Sequence, residues 1–307
     1  MRASLPDVGP NEKWSGLLDV LPGEAPAVPC SIVRGARPGP TLVVTAGIHG
    51  AEYASIAAAQ RLSRTPTDGL SGTLVVVPIV NTAAYYARSI YISPLDGKNL
   101  NRVFPGDIEG SASERLAHWV VTQLFSAADA YVDLHGGDLV EALVPFIVHQ
   151  EGDEKASALA QAFGLDFTIA TAGAGTTTAA AHDLGVTAVL AEAGGQGLWP
   201  EEAVAKLVDS TLRGMRHLGM IENAPETSVP STVVRQFAWS RAEATGCWYP
   251  AVHAGDKVTE GQPIGVITDL LGAQLQAPVS QATGTVLFSV SSMAINAGDP
   301  LIGVGAG

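Results

Sequence analysis

Thr41-Leu-Val-Val-Thr-Ala-Gly-Ile-His49-Gly-Ala-Glu52 fixes how the rest of the chain is read. A compact β-branched run over 41–46 predicts a strand, and an alanine-rich stretch over 51–62 predicts a helix directly after it. Gly47 and Gly50 permit tight backbone turns between the two. His49 and Glu52 are three residues apart on the loop from strand into helix, so both can face one metal ion from the same side. Tyr131-Val-Asp133-Leu-His135-Gly-Gly137 repeats the arrangement after a strand over 130–134, and Ala191-Glu192-Ala-Gly-Gly195 after a strand over 186–191. Sites in parallel α/β sheets form outside the carboxyl ends of the strands, so His49, His135 and Glu192 are expected at one edge. Two imidazoles and a carboxylate, with a fourth position left for water, make the composition of a catalytic zinc site; structural zinc sites close with four ligands, often cysteines. A zinc ion with an open position polarises carbonyls and acidifies its water, which points to hydrolysis of an amide or ester.

Working outward, strand and helix patterns alternate. A valine-rich strand is predicted over 73–80 and an irregular segment over 81–110, with turn signals at Pro94, Asp96-Gly97 and Pro105-Gly106. Segments of that length inside a domain are commonly functional. Ser111-Ala-Ser-Glu114 is a capping box for a helix running to Phe125. There follow a strand over 143–149, a helix over 153–163, and a helix over 200–218 with Pro200 in its first turn and Gly219 at its end. The pattern predicts an α/β fold, a mostly parallel mixed sheet flanked by helices. Near Asn223-Ala-Pro225 helical periodicity stops and short β runs with Gly, Pro and Asp turns continue to Gly307. We therefore divide the chain into a catalytic domain, 1–224, and a small C-terminal all-β domain of sandwich or barrel type, 225–307. The stretch from His253 to Ile267 resembles lipoyl- or biotinyl-type β modules. Ala294 stands where their carrier lysine would be and Lys257 lies in the other half, so a structural or lid role is expected.

The 307 residues suffice for this arrangement, and 47% hydrophobic against 15% charged content excludes wholesale disorder. A formal net charge of −13 disfavours nucleic acid and anionic membrane partners. Low charge content suits a homo-oligomer. Cys30 and Cys247 form no cysteine framework, and residues 1–14 carry no apolar run, so a cytoplasmic protein is expected. The uncharged stretch over 69–87 is broken by Ser71, Pro78 and Asn81 and reads as a buried strand and loop.

Taken together in this order, Gly47–Glu52, Asp96-Gly-Lys-Asn99-Leu-Asn101-Arg102-Val-Phe-Pro-Gly106, Asp133-Leu-His135-Gly and Ala191–Gly195 resemble the succinylglutamate desuccinylase/aspartoacylase family, which belongs with the zinc carboxypeptidases. The resemblance runs from about Thr41 through Leu218 and into the C-terminal part. It implies a single zinc ion held by His49, Glu52 and His135, with Glu192 as general base and acid. It also implies that Asn101 and Arg102 hold a substrate carboxylate, in keeping with the fork of a guanidinium. The family commonly has a further arginine that polarises the scissile carbonyl. Arg88 is the candidate for that role, and Tyr91 is the alternative occupant of the spot. The expected activity is hydrolysis of the amide of a small N-acylated amino acid or related amine.

A carboxypeptidase acting on peptides uses the same metal and Asn-Arg pair and is the alternative enzyme. A catalytically silent binding protein would not need Glu192. Asp133 is expected to share a strand face with His135 and orient it. Structural roles are expected for His118, His149, His182, His217 and His253. Ala172-Gly-Ala-Gly-Thr-Thr177 lacks the spacing, the lysine and the following helix of a phosphate loop. No Gly-x-Ser-x-Gly elbow is present.

Overall fold

A computed structural model describes residues 4–226 and 230–307, so residues 1–3 of the first expected domain and 227–229 of the second lie outside it. Strands β1 (Glu12–Leu18), β2 (Val28–Arg34), β3 (Arg37–Ala46), β4 (Ser71–Val77) and β5 (Ala130–His135) build one half of the main sheet. The short β6 (Glu141–Leu143) lies elsewhere, and β7 (Phe146–Gln150), β8 (Phe167–Thr171), β9 (Thr187–Glu192) and β10 (Thr232–Val234) complete it. The order is β1-β2-β4-β3-β5-β9-β7-β8-β10. The neighbours β4/β3, β3/β5, β5/β9, β7/β8 and β8/β10 run parallel. The pairs β1/β2, β2/β4 and β7/β9 are antiparallel. The fold is thus the expected mixed, mostly parallel α/β sheet.

Alternation along the strands sorts side chains into two cores. Val44, Ala46, Leu74, Val76, Val132 and Leu134 face helices α1 (Tyr53–Leu62), α4 (Glu154–Phe163) and α6 (Glu201–His217), among whose buried residues are Leu62, Phe163 and Leu207. Val43, Val75, Val77 and Tyr131 face the other way, against α3 (Ala112–Trp119) and α5 (Thr177–Asp183). On α1 the buried Ala54, Ala58 and Ala59 let the helix approach the sheet closely. On α6, Glu201 and Glu202 in the first turn and Arg216 and His217 in the last complement the helix dipole. Among the described residues no helix is long and apolar enough to cross a membrane.

Several expectations are corrected. The antiparallel edge formed by β1 and β2, and strand β8, were not anticipated. The segment over 81–110 is not wholly irregular: Asn81 caps α2 (Thr82–Ala87), accepting from the Ala84 N–H, and a 3₁₀ turn spans Leu100–Arg102. The helix expected to run to Phe125 keeps α geometry only to Trp119 and continues as a π turn over Val120–Leu124. The single strand expected over 143–149 is two, because Pro145 has no N–H for a ladder and β6 and β7 join different sheets. A helix, α5, does follow the glycine-rich stretch ending at Thr177, capped by Thr176.

Beyond β10 the chain is all β: β11 (Gln236–Arg241), β12 (Gly246–Pro250), β13 (Lys257–Val258), β14 (Gly265–Thr268), β15 (Gln274–Gln276), β16 (Gly284–Val290), β17 (Ala294–Ile295) and β18 (Pro300–Ala306). Two sheets, β11-β18-β16-β13 and β15-β14-β12-β17, enclose a core around Trp248, Ile267, Val286 and Leu301. Strands cross residue 225 in both directions. β6 pairs with β16 in this module, and β10 pairs with β8 in the main sheet. Lys257 Nζ donates to Thr285 Oγ1 at 2.5 Å within the module.

Candidate metal centre and active site

Parallel pairing sets Ala46 opposite Leu134 and His135 opposite Glu192, so three strand ends meet at one sheet edge. Gly47, at φ +64°, turns the chain out of β3 in a conformation glycine adopts without strain. Gly50 passes so close to α2 that a Cβ there would stand 2.2 Å from the Tyr85 nitrogen. These two glycines bring His49 and Glu52 back over the end of β5.

Glu52 lies between the two imidazoles. Its Oε1 is 2.7 Å from His49 Nδ1 and its Oε2 is 3.0 Å from His135 Nδ1. One ligand atom from each of the three falls within 4.8 Å of the others, and all three residues are buried. The far ring nitrogens each meet an acceptor: His49 Nε2 is 3.0 Å from Asn99 Oδ1, and His135 Nε2 is 3.0 Å from Asp133 Oδ2. With a metal ion held by Glu52 and the two Nδ1 atoms, Asn99 and Asp133 would accept the Nε2–H of each ring. Two imidazole nitrogens and one carboxylate, each supported from behind, match the donor set and outer partners of a zinc centre. Asp133 shares the face of His135, as alternation predicts. It also accepts from Thr45 Oγ1 at 2.7 Å and Thr177 Oγ1 at 2.6 Å.

Electrostatics bind the cluster together. Burial raises the Glu52 carboxyl, but the charges and hydrogen bonds of His135 and His49 outweigh it and hold the group down at about 2. Burial lowers both imidazoles, yet Glu52 raises His49, and Glu52 with Asp133 raises His135 further. Glu192, beside His135, is pushed well up by burial, with His135 opposing. Its Oε2 is buried without a hydrogen-bond partner, an atom prepared for something the protein itself does not supply.

The other residues singled out from sequence divide into two places. Asn101 is buried, and its Oδ1 accepts from the Thr177 N–H at 2.9 Å, tying the 3₁₀ turn to the start of α5. Arg102 is exposed and donates to the Asn101 carbonyl at 2.7 Å. Tyr91 comes to the triad: its ring packs edge-on against His49, with centroids 5.7 Å apart. Arg88 is exposed and lines a groove of about 480 Å³ with Tyr53, Tyr85, Tyr86 and Trp199. Sequence reasoning passed over three residues. Asn99 lay inside a quoted motif without a role. Asp138 lies in the loop after His135 and Glu141 opens the three-residue β6, both too short for periodicity, so that only their position beyond a strand's carboxyl end signalled anything. Of the remaining histidines, His182 Nδ1 lies 3.0 Å from Asp153 Oδ2, the N-cap of α4, and His149 Nδ1 lies 3.0 Å from the Gln150 carbonyl.

Fold and site together define an α/β protein with a buried His-Glu-His cluster at the carboxyl edge of a mostly parallel sheet. Residues 38–218 match the succinylglutamate desuccinylase/aspartoacylase catalytic domain, and the chain belongs to that family. It is 32% identical over 293 residues to the N-alpha-acetyl-L-2,4-diaminobutyric acid deacetylase of Halomonas elongata, covering 89% of this chain and 84% of that protein. A succinylglutamate desuccinylase/aspartoacylase of Rhodobacter sphaeroides superposes with a TM-score of 0.88 at 26% identity, over 99% of this chain and 98% of the other. The product-bound ectoine utilization protein EutE (DoeB) of Ruegeria pomeroyi superposes with a TM-score of 0.90 at 24% identity, over 99% and 98%, and shows the shared fold.

Proposed function

We propose that this protein is a zinc-dependent deacylase that hydrolyses the amide of a small N-acyl amino acid or related N-acyl amine. The observation that carries the reading is the convergence of His49, Glu52 and His135 with Glu192 beside them, whose buried Oε2 has no hydrogen-bond partner. Family membership and the Halomonas elongata deacetylase support the substrate class. His49, Glu52 and His135 would hold the zinc ion. When bound, the ion polarises the acyl carbonyl and makes water a better nucleophile at neutral pH.

The chain's own groups do the rest. Burial holds the Glu192 carboxyl well above its ordinary range, and a metal ion held by His49, Glu52 and His135 would offset that, so that Glu192 could serve as a base. Glu192 takes a proton from the attacking water as the O–C bond forms. It returns that proton to the nitrogen as the C–N bond breaks, giving a carboxylate and a free amine. Asn99 and Asp133 keep both imidazoles in the ligating tautomer. Asn101 and Arg102 are assigned to the substrate carboxylate, and Arg88 or Tyr91 to the developing oxyanion; Tyr91 has the shorter reach, since its ring already rests on His49. The two unpaired cysteines suit a reducing cytoplasm.

The test is Glu192→Gln in zinc-loaded protein assayed on a panel of N-acyl amino acids and short peptides. The variant is expected to keep one zinc per chain and lose about 10²–10⁴-fold in turnover. Undiminished amine release would remove Glu192 from the mechanism, and cleavage of peptides alone would replace the deacylase reading with a carboxypeptidase.

A further inference from the structure

Asp133 is fully buried among three side chains. Thr45 Oγ1 donates to its Oδ1 at 2.7 Å, and Thr177 Oγ1 donates to its Oδ2 at 2.6 Å. His135 Nε2 stands 3.0 Å from that same Oδ2, so Thr177 holds the carboxylate oxygen that faces the candidate ligand. The last torsion of an aspartate is broad, so its carboxylate plane is set by its partners more than by its own rotamer. A threonine is restricted at χ1 by its branch, which makes Thr177 a stiff donor. Both threonines are fully buried, where a lost hydrogen bond is not replaced by water.

Thr177 has a second bond. It opens α5 after the N-cap Thr176, and the N–H of a first helical residue has no partner inside its own helix. Asn101 Oδ1 accepts it at 2.9 Å. Asn101 is buried in the 3₁₀ turn that ends at Arg102, the turn assigned above to the substrate carboxylate. Two residues earlier the Gly175 carbonyl accepts the Phe104 N–H at 3.2 Å, so the glycine-rich stretch over 172–177, which is no phosphate loop, is fastened to this segment twice. A matching link serves the other imidazole. Asn99 Oδ1 lies 3.0 Å from His49 Nε2 and accepts the Asn101 N–H at 2.8 Å. The turn bearing Asn101 is thus tied to both histidines, to His49 through Asn99 and to His135 through Thr177 and Asp133.

We propose that Thr177 is a positioning residue with two separable roles: its hydroxyl fixes Asp133 and through it the orientation of His135 toward the metal, and its N–H fixes Asn101 and with it the substrate anchor. This rests on the zinc deacylase reading and adds to it a residue outside both the ligand set and the substrate contacts. Metal affinity then follows the hydroxyl, and KM follows the N–H. A merely structural hydroxyl would lower the melting temperature of the metal-free protein and leave metal affinity where it was.

Substitutions at this one position separate the two bonds. Thr177→Ser and Thr177→Ala both lose the methyl and differ only in the hydroxyl, while Thr177→Val keeps the shape without the hydroxyl. Thr177→Pro loses hydroxyl and N–H together; proline suits the first position of a helix, and Thr176, at φ −97° and ψ 163°, already has the extended backbone that precedes a proline. Zinc affinity is read by chelator competition, ligand geometry by the visible spectrum of cobalt-loaded protein, and KM at saturating zinc on the fastest-cleaved N-acyl amino acid of the panel above. Thr177→Ala and Thr177→Val are expected to bind zinc about tenfold or more weakly than Thr177→Ser, with an altered cobalt spectrum and an unchanged KM. Thr177→Pro is expected to weaken zinc equally and to raise KM about tenfold as well. Equal zinc affinity and identical cobalt spectra in the serine and alanine variants would overturn the proposal, and so would a folded Thr177→Pro whose KM equals that of Thr177→Ala. Wild-type protein that takes up no zinc would bring down the deacylase reading too, whereas wild-type turnover with indistinguishable variants sinks this inference alone.

Discussion

Asp138 shows how far a single carboxylate can be driven by its surroundings. Burial first, and then the charge of Glu52, raise it from an ordinary 3.8 to about 7. Between these two values the native state holds a proton that the unfolded chain has released, so the group makes stability fall as pH rises, with the loss complete near pH 7. Asparagine keeps an acceptor for the Tyr91 N–H and never ionises. In metal-free protein Asp138→Asn is therefore expected to gain stability over wild type progressively from pH 4 to 7, by up to about 4 kcal/mol at about 1.4 kcal/mol per unit. Thermal melts at pH 4.5 and 8 check this, and a difference that ignores pH would refute it. Nothing in the sequence announced the conflict, because a loop residue has no period to betray its direction. His135 and Asp133 were legible for the opposite reason: two residues apart on a strand, they must face the same way. Asn99 was quoted in a motif, but its use, holding His49 Nε2 at 3.0 Å, depends on how the loop over 88–102 doubles back, which spacing alone does not encode.

Elements whose boundaries coincide with functional residues were the readable ones. The β-branched run ending at Ala46 and the alanine-rich helix after it carry strong and different periods, so His49 and Glu52 could be placed between them. The strand pair β6 and β7 was misread because its continuous apolar character hides Pro145, and only the demands of two separate sheets divide it. Helix α2 has six residues and little periodicity of its own; its seat is made by Gly50, where a Cβ would press on the Ala84 carbonyl carbon and Tyr85 nitrogen, both at 2.2 Å. Gly50→Ala is accordingly expected to push α2 away from the loop bearing His49 and Glu52. A loss of about 1–3 kcal/mol in stability is expected, with weaker zinc binding alongside it. Gly173→Ala is the control, since the nearest atom to its Cβ is Thr171 Oγ1 at 3.5 Å. Denaturant melts and zinc titrations of the two variants provide the comparison, and equal behaviour would mean that the contact at α2 is absorbed without cost.

Across the whole molecule, the change of texture near residue 225 was plain in the sequence, whereas the exchange of strands across it was not, because a three-residue strand is too short to carry a pattern. β6 gives Glu141, Ala142 and Leu143 to β16 of the C-terminal module, and β10 gives Thr232 to Val234 to β8 of the main sheet. A shared apolar cluster of Phe146, Ile169, Val234 and Leu287 draws residues from both sides and packs over this exchange. Melting either part alone would strip hydrogen bonds and buried surface from the other, and would release Glu141 from its place near the candidate site. The chain is therefore expected to unfold in a single calorimetric transition, with calorimetric and van't Hoff enthalpies in agreement. Leu287 is fully buried at the junction, so Leu287→Ala should cost about 2–5 kcal/mol and lower that one midpoint by several degrees without splitting it. Two resolved transitions in the wild-type protein, or a Leu287→Ala variant in which only one of them moves, would show that the β module melts independently and that its hold on Glu141 is loose.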